Sequence, residues 1–410
     1  MLNVFFLLTA YYIIKPVREA MILSGSGAEI KSYAGAGQAL LLLLIVPVYS
    51  AIASRVDRLR LINGIIAFFM SNLVIFYVLG RMKVQLGVIF FLWVGLFNLI
   101  VVAQFWSFAN DIYTQEQGRR LFAIIGIGSS LGAIFGSGVA GWLFKPLGAD
   151  GLLLVAGGLL VICILLTNWV HFREGNRTRT QAQVAERPMG NSSGFRLVFS
   201  HRYLLLIAIM VLLSNFTKTT GEFILGKVVT QHASVLASAG GPSPQVYIGQ
   251  FYANFYLWVN LLSAAVQMFA VSRIMKYMGI GAALVVMPAI ALTGYTTLAF
   301  LPILSFVRIA KIAENSAEYS IQNTARQALF LRTSRQAKYK AKFAIDSFFA
   351  RAGDAMSAAL VFAGTLFAMD IRSFALFNAA SVVVWLVVAG AIVRARRREK
   401  MAALQPRVAA

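Results

Sequence analysis

Residues 173–202, REGNRTRTQAQVAERPMGNSSGFRLVFSHR, form the longest polar stretch of the sequence and lie close to its middle. They separate two apolar stretches, residues 151–172 and 203–225. Each of these is long enough to cross a bilayer as an α-helix, which takes about 20 residues. The polar stretch therefore predicts a linker between two membrane-embedded halves.

The composition of the chain is that of a membrane protein. Of its 410 residues, 59% are apolar and 13% charged, and the mean hydropathy is +0.75. Soluble domains are about 45–50% apolar and about 25% charged. These values exclude a soluble enzyme, a nucleic-acid-binding domain and a disordered chain. We predict an all-α polytopic membrane protein of about twelve transmembrane helices, with spans at residues 2–23, 33–54, 61–80, 84–110, 119–144, 151–172, 203–225, 247–271, 279–300, 302–325, 343–368 and 371–393.

The distribution of basic residues predicts how the chain is oriented. Of the 37 Lys and Arg residues, 25 fall in the even-to-odd loops and the C-terminal tail, whereas six fall in the loops of the opposite side. Basic loops stay on the cytoplasmic side, so we expect both termini to be cytoplasmic in an inner (plasma) membrane. The net charge of +22 is then mostly a consequence of topology, with attraction to anionic lipids as a secondary effect, and does not indicate a nucleic-acid partner.

Six helices, a charged linker and six more helices are the layout of the major facilitator architecture, in which two halves rock around a site near the bilayer midplane. A twelve-helix transporter of another fold is the alternative. The predicted division is an N-terminal half at 1–172, a cytoplasmic linker at 173–202, a C-terminal half at 203–393 and a basic tail at 394–410.

Ionisable residues inside the predicted spans are the candidate functional residues, because a charge in hydrocarbon is costly and is usually functional. They form four clusters, one each in the first, seventh, tenth and eleventh spans. The clusters are Lys15, Arg18 and Glu19; Lys218 and Glu222; Arg308, Lys311, Glu314 and Glu318; and Asp346, Arg351 and Asp354.

A purely structural explanation is that these residues form ion pairs within single helices. Lys218 and Glu222, and likewise Lys311 and Glu314, have the required spacing. Because clusters recur in the first and fourth helices of both halves, or next to them, we favour a charged central cavity. Six bases and six acids occupy the clusters, so charge count alone does not predict an anionic substrate.

Other features point to structure rather than to chemistry. The single cysteine and the three scattered histidines favour neither a disulfide framework nor a metal site, and no nucleophile–base set is visible, so we predict no enzyme activity and no cofactor. Gly128, Gly132 and Gly136 recur every four residues, a spacing typical of close helix packing in membranes.

Four segments resemble the ATP:ADP antiporter family, the nucleotide transporters of plastids and obligate intracellular bacteria, which have a facilitator-type fold. The segments are YYIIKPVREAMIL (11–23), FWSFANDIYTQEQGRRLFAIIGIGSSLGAIFGSG (105–138), SNFTKTTGEFILGKVV (214–229) and ARQALFLRTSRQAKYKAKFAIDSFFARAGD (325–354). In the first segment Arg18 takes the place of a family lysine, which keeps the charge but changes its geometry. Glu116 and Arg120 match an acidic and a basic position of the second segment.

The resemblance implies exchange of an anionic, nucleotide-like solute such as ATP and ADP. It places Glu222, Lys342 and Asp346 on family positions. We expect the phosphate contacts to come from five cations, namely Lys15, Arg18, Arg308, Lys311 and Lys342. In the empty site, the carboxylates of Glu222, Glu314 and Asp346 would balance these charges. Glu19 and Lys218 complete the predicted binding set.

Two other functions stay open from the sequence. A proton-coupled facilitator for another metabolite or drug would use Glu222 or Glu318 as the proton carrier. A non-transporting membrane scaffold would instead pair its charges within helices around a closed apolar core.

Overall fold

The computed structural model describes residues 1–53, 55–112, 115–174, 194–331, 333 and 337–404, and within these ranges it contains helices and no strand. The predicted linker falls largely on residues 175–193, outside the described residues. The first helices follow the predicted spans closely. They are α1 (Leu2–Gly25), α2 (Gly27–Ala53), α3 (Arg58–Arg81) and α4 (Gly87–Ile112).

The fifth and sixth predicted spans lie in α5 (Gln115–Glu174), which consists of two helical segments that meet at a break. The break is at Gly148, whose φ of 67° lies in the left-handed region. Only glycine adopts this conformation at no steric cost. The break lies between the two predicted spans, residues 119–144 and 151–172.

The second part of the chain is also helical and contains four π-helical turns. Its helices are α6 (Gly194–Ser200), α7 (Arg202–Ser238), α8 (Pro244–Phe269), α9 (Val271–Arg273), α10 (Gly279–Phe300), α11 (Leu304–Ala317), α12 (Asn323–Leu329), α13 (Lys342–Ala344), α14 (Ala350–Leu366) and α15 (Ile371–Leu404). The π-helical turns are Ile274–Met278, Glu318–Gln322, Ala337–Ala341 and Ile345–Phe349. The tenth predicted span is therefore interrupted by a π-helical turn between α11 and α12, a feature frequent at functional sites.

Six helical stretches of the described chain are long and apolar enough to cross a membrane: Leu59–Arg81, Gly87–Trp106, Ile124–Arg173, Arg202–Ser238, Val271–Phe300 and Ile371–Arg396. Three other helices are more polar or shorter. Helix α1 contains three charges within five residues, α8 is rich in Tyr, Asn and Gln, and α11 has 14 residues. These three helices contribute to the candidate site described below.

The chain forms two compact units. The first contains α1 to α5 together with residues 229–261, which are the end of α7 and most of α8. Its core includes an aromatic group in which Trp93 stacks on Phe90 and Phe97. The second unit contains the rest of α7 and the chain from residue 262 onward, with Trp385 fully buried.

Close packing of α1 on α5 positions the charged residues of α1. A Cβ added to Gly132 or Gly136 would overlap the backbone carbonyl oxygens of Phe5 and Thr9. The hydroxyl of Thr9 also donates a hydrogen bond to the Gly132 carbonyl, at 3.3 Å. The predicted role of this glycine stripe in helix packing is confirmed.

Candidate functional site: two buried charge clusters

Glu19 is the centre of a cluster in the first compact unit and is fully buried. Its carboxylate pairs with the adjacent Arg18 guanidinium and with Lys31 of α2, whose Nζ lies 2.6 Å from Oε2. The Tyr256 hydroxyl of α8 donates to Oε1 at 3.3 Å. Three helices therefore meet at one carboxylate.

Lys15 lies one helical turn before Glu19 and is also buried, with 7% of its surface exposed. Its ammonium sits 3.9 Å from the centre of the Tyr256 ring. The rings of Tyr12 and Tyr11 are at 5.1 and 5.9 Å. A cation over a ring face is held by the ring quadrupole, with about 0.5–2 kcal/mol per contact. Tyr256 thus contacts the cation and the carboxylate of the same helix.

The first cluster is rich in cations. Lys15, Arg18 and Lys31 lie around Glu19. We name Lys15, Arg18, Glu19 and Lys31 the α1 cluster. Such a group of cations is suited to an anionic ligand, since phosphate or carboxylate oxygens form charge-assisted hydrogen bonds with them.

Lys311 of α11 is the centre of a second cluster, in the other compact unit, and is 1% exposed. Its Nζ lies 3.0 Å from Glu314 Oε2 on the same helix and 3.7 Å from Glu222 Oε1 of α7. The Tyr295 hydroxyl of α10 donates to the same Glu314 oxygen at 2.8 Å. The intrahelical pair predicted for Lys311 and Glu314 is present, but two further helices hold it.

Lys218 of α7 pairs across helices. Its Nζ lies 2.8 Å from Glu318 Oε1, in the π-helical turn after α11, while Asn315 Nδ2 donates to Glu222 at 3.0 Å. The i,i+4 spacing of Lys218 and Glu222 is thus not the basis of this pairing. Lys218, Glu222, Lys311, Glu314 and Glu318, named here the α7–α11 cluster, have a formal charge of −1.

Asp354 of α14 lies beside this cluster, close enough to Lys218 for their charges to interact. It accepts from the Thr219 hydroxyl of α7 at 2.7 Å and from Arg351 Nη1 at 3.0 Å. Arg351 is the most exposed of these groups, with 46% of its side chain accessible. The hydrogen bond from Thr219 to Asp354 ties the eleventh predicted span to α7.

Lys342 and Asp346 contact a different part of the same unit. Lys342 Nζ donates to Gln327 Oε1 of α12 at 2.5 Å, and Asp346 Oδ1 lies 3.9 Å from Arg326 Nη1. Arg308 is half-buried on α11. The side chains of Glu116 and Arg120 lie outside the described residues. The structure thus divides the ten predicted site residues among the α1 cluster, the α7–α11 cluster, this α12 contact and Arg308.

Several residues of the two clusters were missed by the sequence analysis. Lys31 was assigned to a loop, and this was wrong: it lies in the first turns of α2, 9% exposed. Tyr256, Tyr295 and Asn315 are uncharged, so a search for charged residues in apolar spans does not find them. The available signal was a polar residue within an apolar span, but such residues are too common for it to single out these three.

Comparison with known proteins identifies relatives at low identity. ADP,ATP carrier protein 2, chloroplastic, of Arabidopsis thaliana is 24% identical over 304 residues, covering 65% of this chain and 47% of that protein. ADP,ATP carrier protein 1 of Chlamydia trachomatis is 23% identical over 333 residues, covering 70% and 61%. The chain thus spans about half the length of the first of these relatives. The predicted resemblance to the ATP:ADP antiporter family is confirmed.

Solved structures show the same fold. The nucleoside transporter NupG has a TM-score of 0.64 at 13% identity, covering 95% of this chain and 99% of that one. A POT family transporter in complex with a thioalcohol-conjugated peptide also has a TM-score of 0.64, at 11% identity, covering 97% and 96%.

The sequence profile of the Major Facilitator Superfamily matches residues 1–313. With the apolar helices, this match confirms the predicted all-α fold with a 6+6 arrangement of about twelve helices and an integral multi-pass membrane protein. The chain belongs to the major facilitator superfamily.

Proposed function

We propose that this protein is a secondary transporter that exchanges an anionic, nucleotide-like solute, of the ATP/ADP type, across the inner membrane by alternating access. The relatives named as ADP,ATP carriers support the solute class. The observation that carries the proposal is the α1 cluster, in which three cations lie around Glu19.

The α1 cluster supplies the chemistry that a polyphosphate needs. Arg18 offers a planar fork of donors and Lys15 a compact ammonium, and both bind phosphate oxygens through charge-assisted hydrogen bonds. Glu19 holds Arg18 and Lys31 in place when no anion is bound. Binding of an anion then adds negative charge beside these cations.

The C-terminal predicted residues have supporting roles in this proposal. Lys311, Arg308 and Lys342 are further phosphate contacts. Glu222 and Glu314 neutralise Lys311 in the empty protein, and Asp346 does the same for neighbouring cations. An arriving phosphate would compete with these carboxylates, so exchange of partners between the two states gives antiport a physical basis.

The membrane topology proposed with this function follows from the basic loops. Both termini are cytoplasmic, and residues 173–202 link the two halves on that side. The halves are residues 1–172 and 203–393, and a basic tail follows at 394–410.

The proposal is tested with purified protein in liposomes preloaded with ADP. Uptake of labelled ATP should exceed that into empty liposomes, and Arg18→Gln and Lys15→Gln should abolish the difference. Lys83→Gln is the matched control, since Lys83 is exposed and outside both clusters. No uptake by the intact protein under any counter-loading would contradict nucleotide exchange.

A second candidate is proton-coupled transport, and the three carboxylates gathered around Lys218 and Lys311 in the α7–α11 cluster favour it. One of them, Glu222 or Glu318, would carry the proton. Uptake driven by a pH gradient into liposomes without counter-substrate would support this function, and Glu222→Gln would then uncouple it. If neither counter-loading nor a pH gradient produces uptake, the result favours the non-transporting scaffold.

A further inference from the structure

One face of α8 lies against α1, α2 and α5 within the first compact unit. Its residues recur every three or four positions and form a single stripe: Gly249, Tyr252, Ala253, Tyr256 and Asn260. Asn260 Nδ2 donates to the Ser137 hydroxyl of α5 at 3.2 Å. The ring of Tyr252 lies 5.4 Å from Lys31 Nζ of α2. This contact surface is largely polar, although it belongs to a membrane-embedded helix.

The two neighbours of α5 pack on it through different groups. On the α1 side, a Cβ at Gly132 or Gly136 would overlap backbone atoms. On the α8 side, a Cβ at Gly249 of α8 would overlap the Phe144 ring of α5, and one at Gly141 would lie 3.7 Å from the Ala253 Cβ. The contact of α5 with α8 is therefore made by side chains, which can change rotamer, and is suited to an interface that opens.

Tyr256 joins the α8 interface to the α1 cluster. Its ring covers Lys15 at 3.9 Å and its hydroxyl donates to Glu19 at 3.3 Å. A phosphate oxygen is a stronger partner for an ammonium than a ring face is. An anion that binds Lys15 therefore competes directly with the contact that holds α8.

We propose that Tyr256 is a positioning residue that couples occupancy of Lys15 to the release of α8: an anion draws the Lys15 ammonium off the Tyr256 ring, and residues 244–261 then separate from α1 and α5. This inference rests on the proposed function, because it takes the transported anion as the competitor. It explains why exchange would be obligatory. Without a bound anion, the contact between the Lys15 ammonium and the Tyr256 ring keeps α8 packed against α1 and α5.

A thiol-labelling experiment tests the inference without measuring transport. The chain has one cysteine, Cys163, so a Cys163→Ser background accepts a single reporter, Ala253→Cys, at a fully buried position of the α5–α8 contact. The rate of maleimide labelling then reports separation of α8 from α5. ATP and inorganic pyrophosphate are the probe anions.

We expect both anions to speed labelling of the reporter protein. Tyr256→Leu should label about 2- to 30-fold faster without any anion, the range that corresponds to loss of a cation–π contact. Tyr256→Phe keeps the ring and should stay close to the reporter protein. Trp258→Leu is the control, because it removes an aromatic ring from an exposed position of the same helix, and its rate should not change.

Lys15→Gln provides a second route to the same result if Tyr256→Leu does not fold. It removes the ammonium instead of the ring and should speed labelling to a similar degree. The double variant should then label no faster than either single one, because both remove the same contact.

The outcomes separate this inference from the proposed function. If Tyr256→Leu and Lys15→Gln label at the rate of the reporter protein and neither anion has an effect, the coupling role of Tyr256 is wrong, even when ATP/ADP exchange is observed. If pyrophosphate and both variants speed labelling but ATP does not exchange for ADP, the coupling stands and the nucleotide substrate is wrong.

Discussion

The Tyr295 hydroxyl donates a 2.8 Å hydrogen bond to the Glu314 carboxylate, and so joins α10 to α11 at the same oxygen that pairs with Lys311. All three side chains are at most 3% exposed. A carboxylate buried to this degree depends on each of its partners, because the lost hydration cannot be regained locally. The α7–α11 cluster is thus held by a neutral hydroxyl as well as by charge.

Removal of that hydroxyl should destabilise the protein. We expect Tyr295→Phe to lower the free energy of unfolding by about 1–3 kcal/mol, the range for leaving a buried acceptor short of a donor, measured by thermal unfolding in detergent. Tyr277→Phe, at an exposed tyrosine, should change it by less than about 0.5 kcal/mol. Equal effects of the two substitutions would show that the hydrogen bond does not hold the cluster.

The glycine stripe should tolerate no side chain on the face of α5 that contacts α1. We expect Gly132→Ala to destabilise the protein by about 1–3 kcal/mol, as overpacking does, because its Cβ would overlap the Phe5 carbonyl. Gly126→Ala is the control: nothing lies within 4 Å of its added Cβ. That substitution should leave the melting temperature unchanged or raise it. A stable Gly132→Ala variant would contradict the close packing of α1 on α5.

A disulfide between α5 and α8 should lock the interface between these two helices. The Cβ positions of Gly141 and Ala253 are 3.7 Å apart, within the range of about 3.5–4.5 Å for disulfides. In a Cys163→Ser background, oxidised Gly141→Cys/Ala253→Cys should lose solute exchange and regain it on reduction.

The matched control for that disulfide lies in the other compact unit. A Cβ at Gly281 of α10 would lie 3.9 Å from the Val393 Cβ of α15, so Gly281→Cys/Val393→Cys should form a comparable bond and keep exchange. Exchange that persists in fully cross-linked Gly141→Cys/Ala253→Cys protein would show that α8 need not leave α5.

Asp370 should stabilise the start of α15 in a pH-dependent way. Its Oδ1 accepts from the Ser373 hydroxyl at 2.7 Å and from the Ser373 backbone N–H at 2.8 Å, and these hydrogen bonds lower its pKa from the usual 3.8. A group with a lowered folded-state pKa contributes stability that is present above its unfolded pKa and is lost as the pH falls through the folded value.

Comparison of Asp370→Ala with the parent protein checks this behaviour. The melting temperature of the variant should be lower near neutral pH, because a helix N-cap is lost. The difference should narrow as the pH falls below about 3.8, the usual value for an aspartate. A difference that is constant down to the acid limit would show that the carboxylate charge has no part in capping.

Much of the fold was predictable because it depends on local composition. Apolar stretches of membrane-spanning length marked most of the helices within a few residues. The break of α5 at Gly148 falls between two of these predicted stretches. The π-helical turn Glu318–Gln322 was also missed, because it depends on how the helix fits its neighbours and not on residue type.

The candidate site was predictable only as a set of charged positions. Lys15, Glu19, Lys311 and Glu314 stood out because ions are rare in apolar spans. Their partners did not stand out. Tyr256 and Tyr295 are uncharged, and Lys31 lies where a loop was expected.

By itself, the sequence determined which stretches are apolar enough to enter a bilayer and which ions must be buried with them, since hydropathy and charge are properties of each residue and its near neighbours. Only the tertiary structure decided the pairing: Lys31 with Glu19, Lys218 with Glu318 and Lys15 beneath Tyr256. Pairing depends on the rotation and separation of helices that are distant in sequence, and packing of the whole unit sets both.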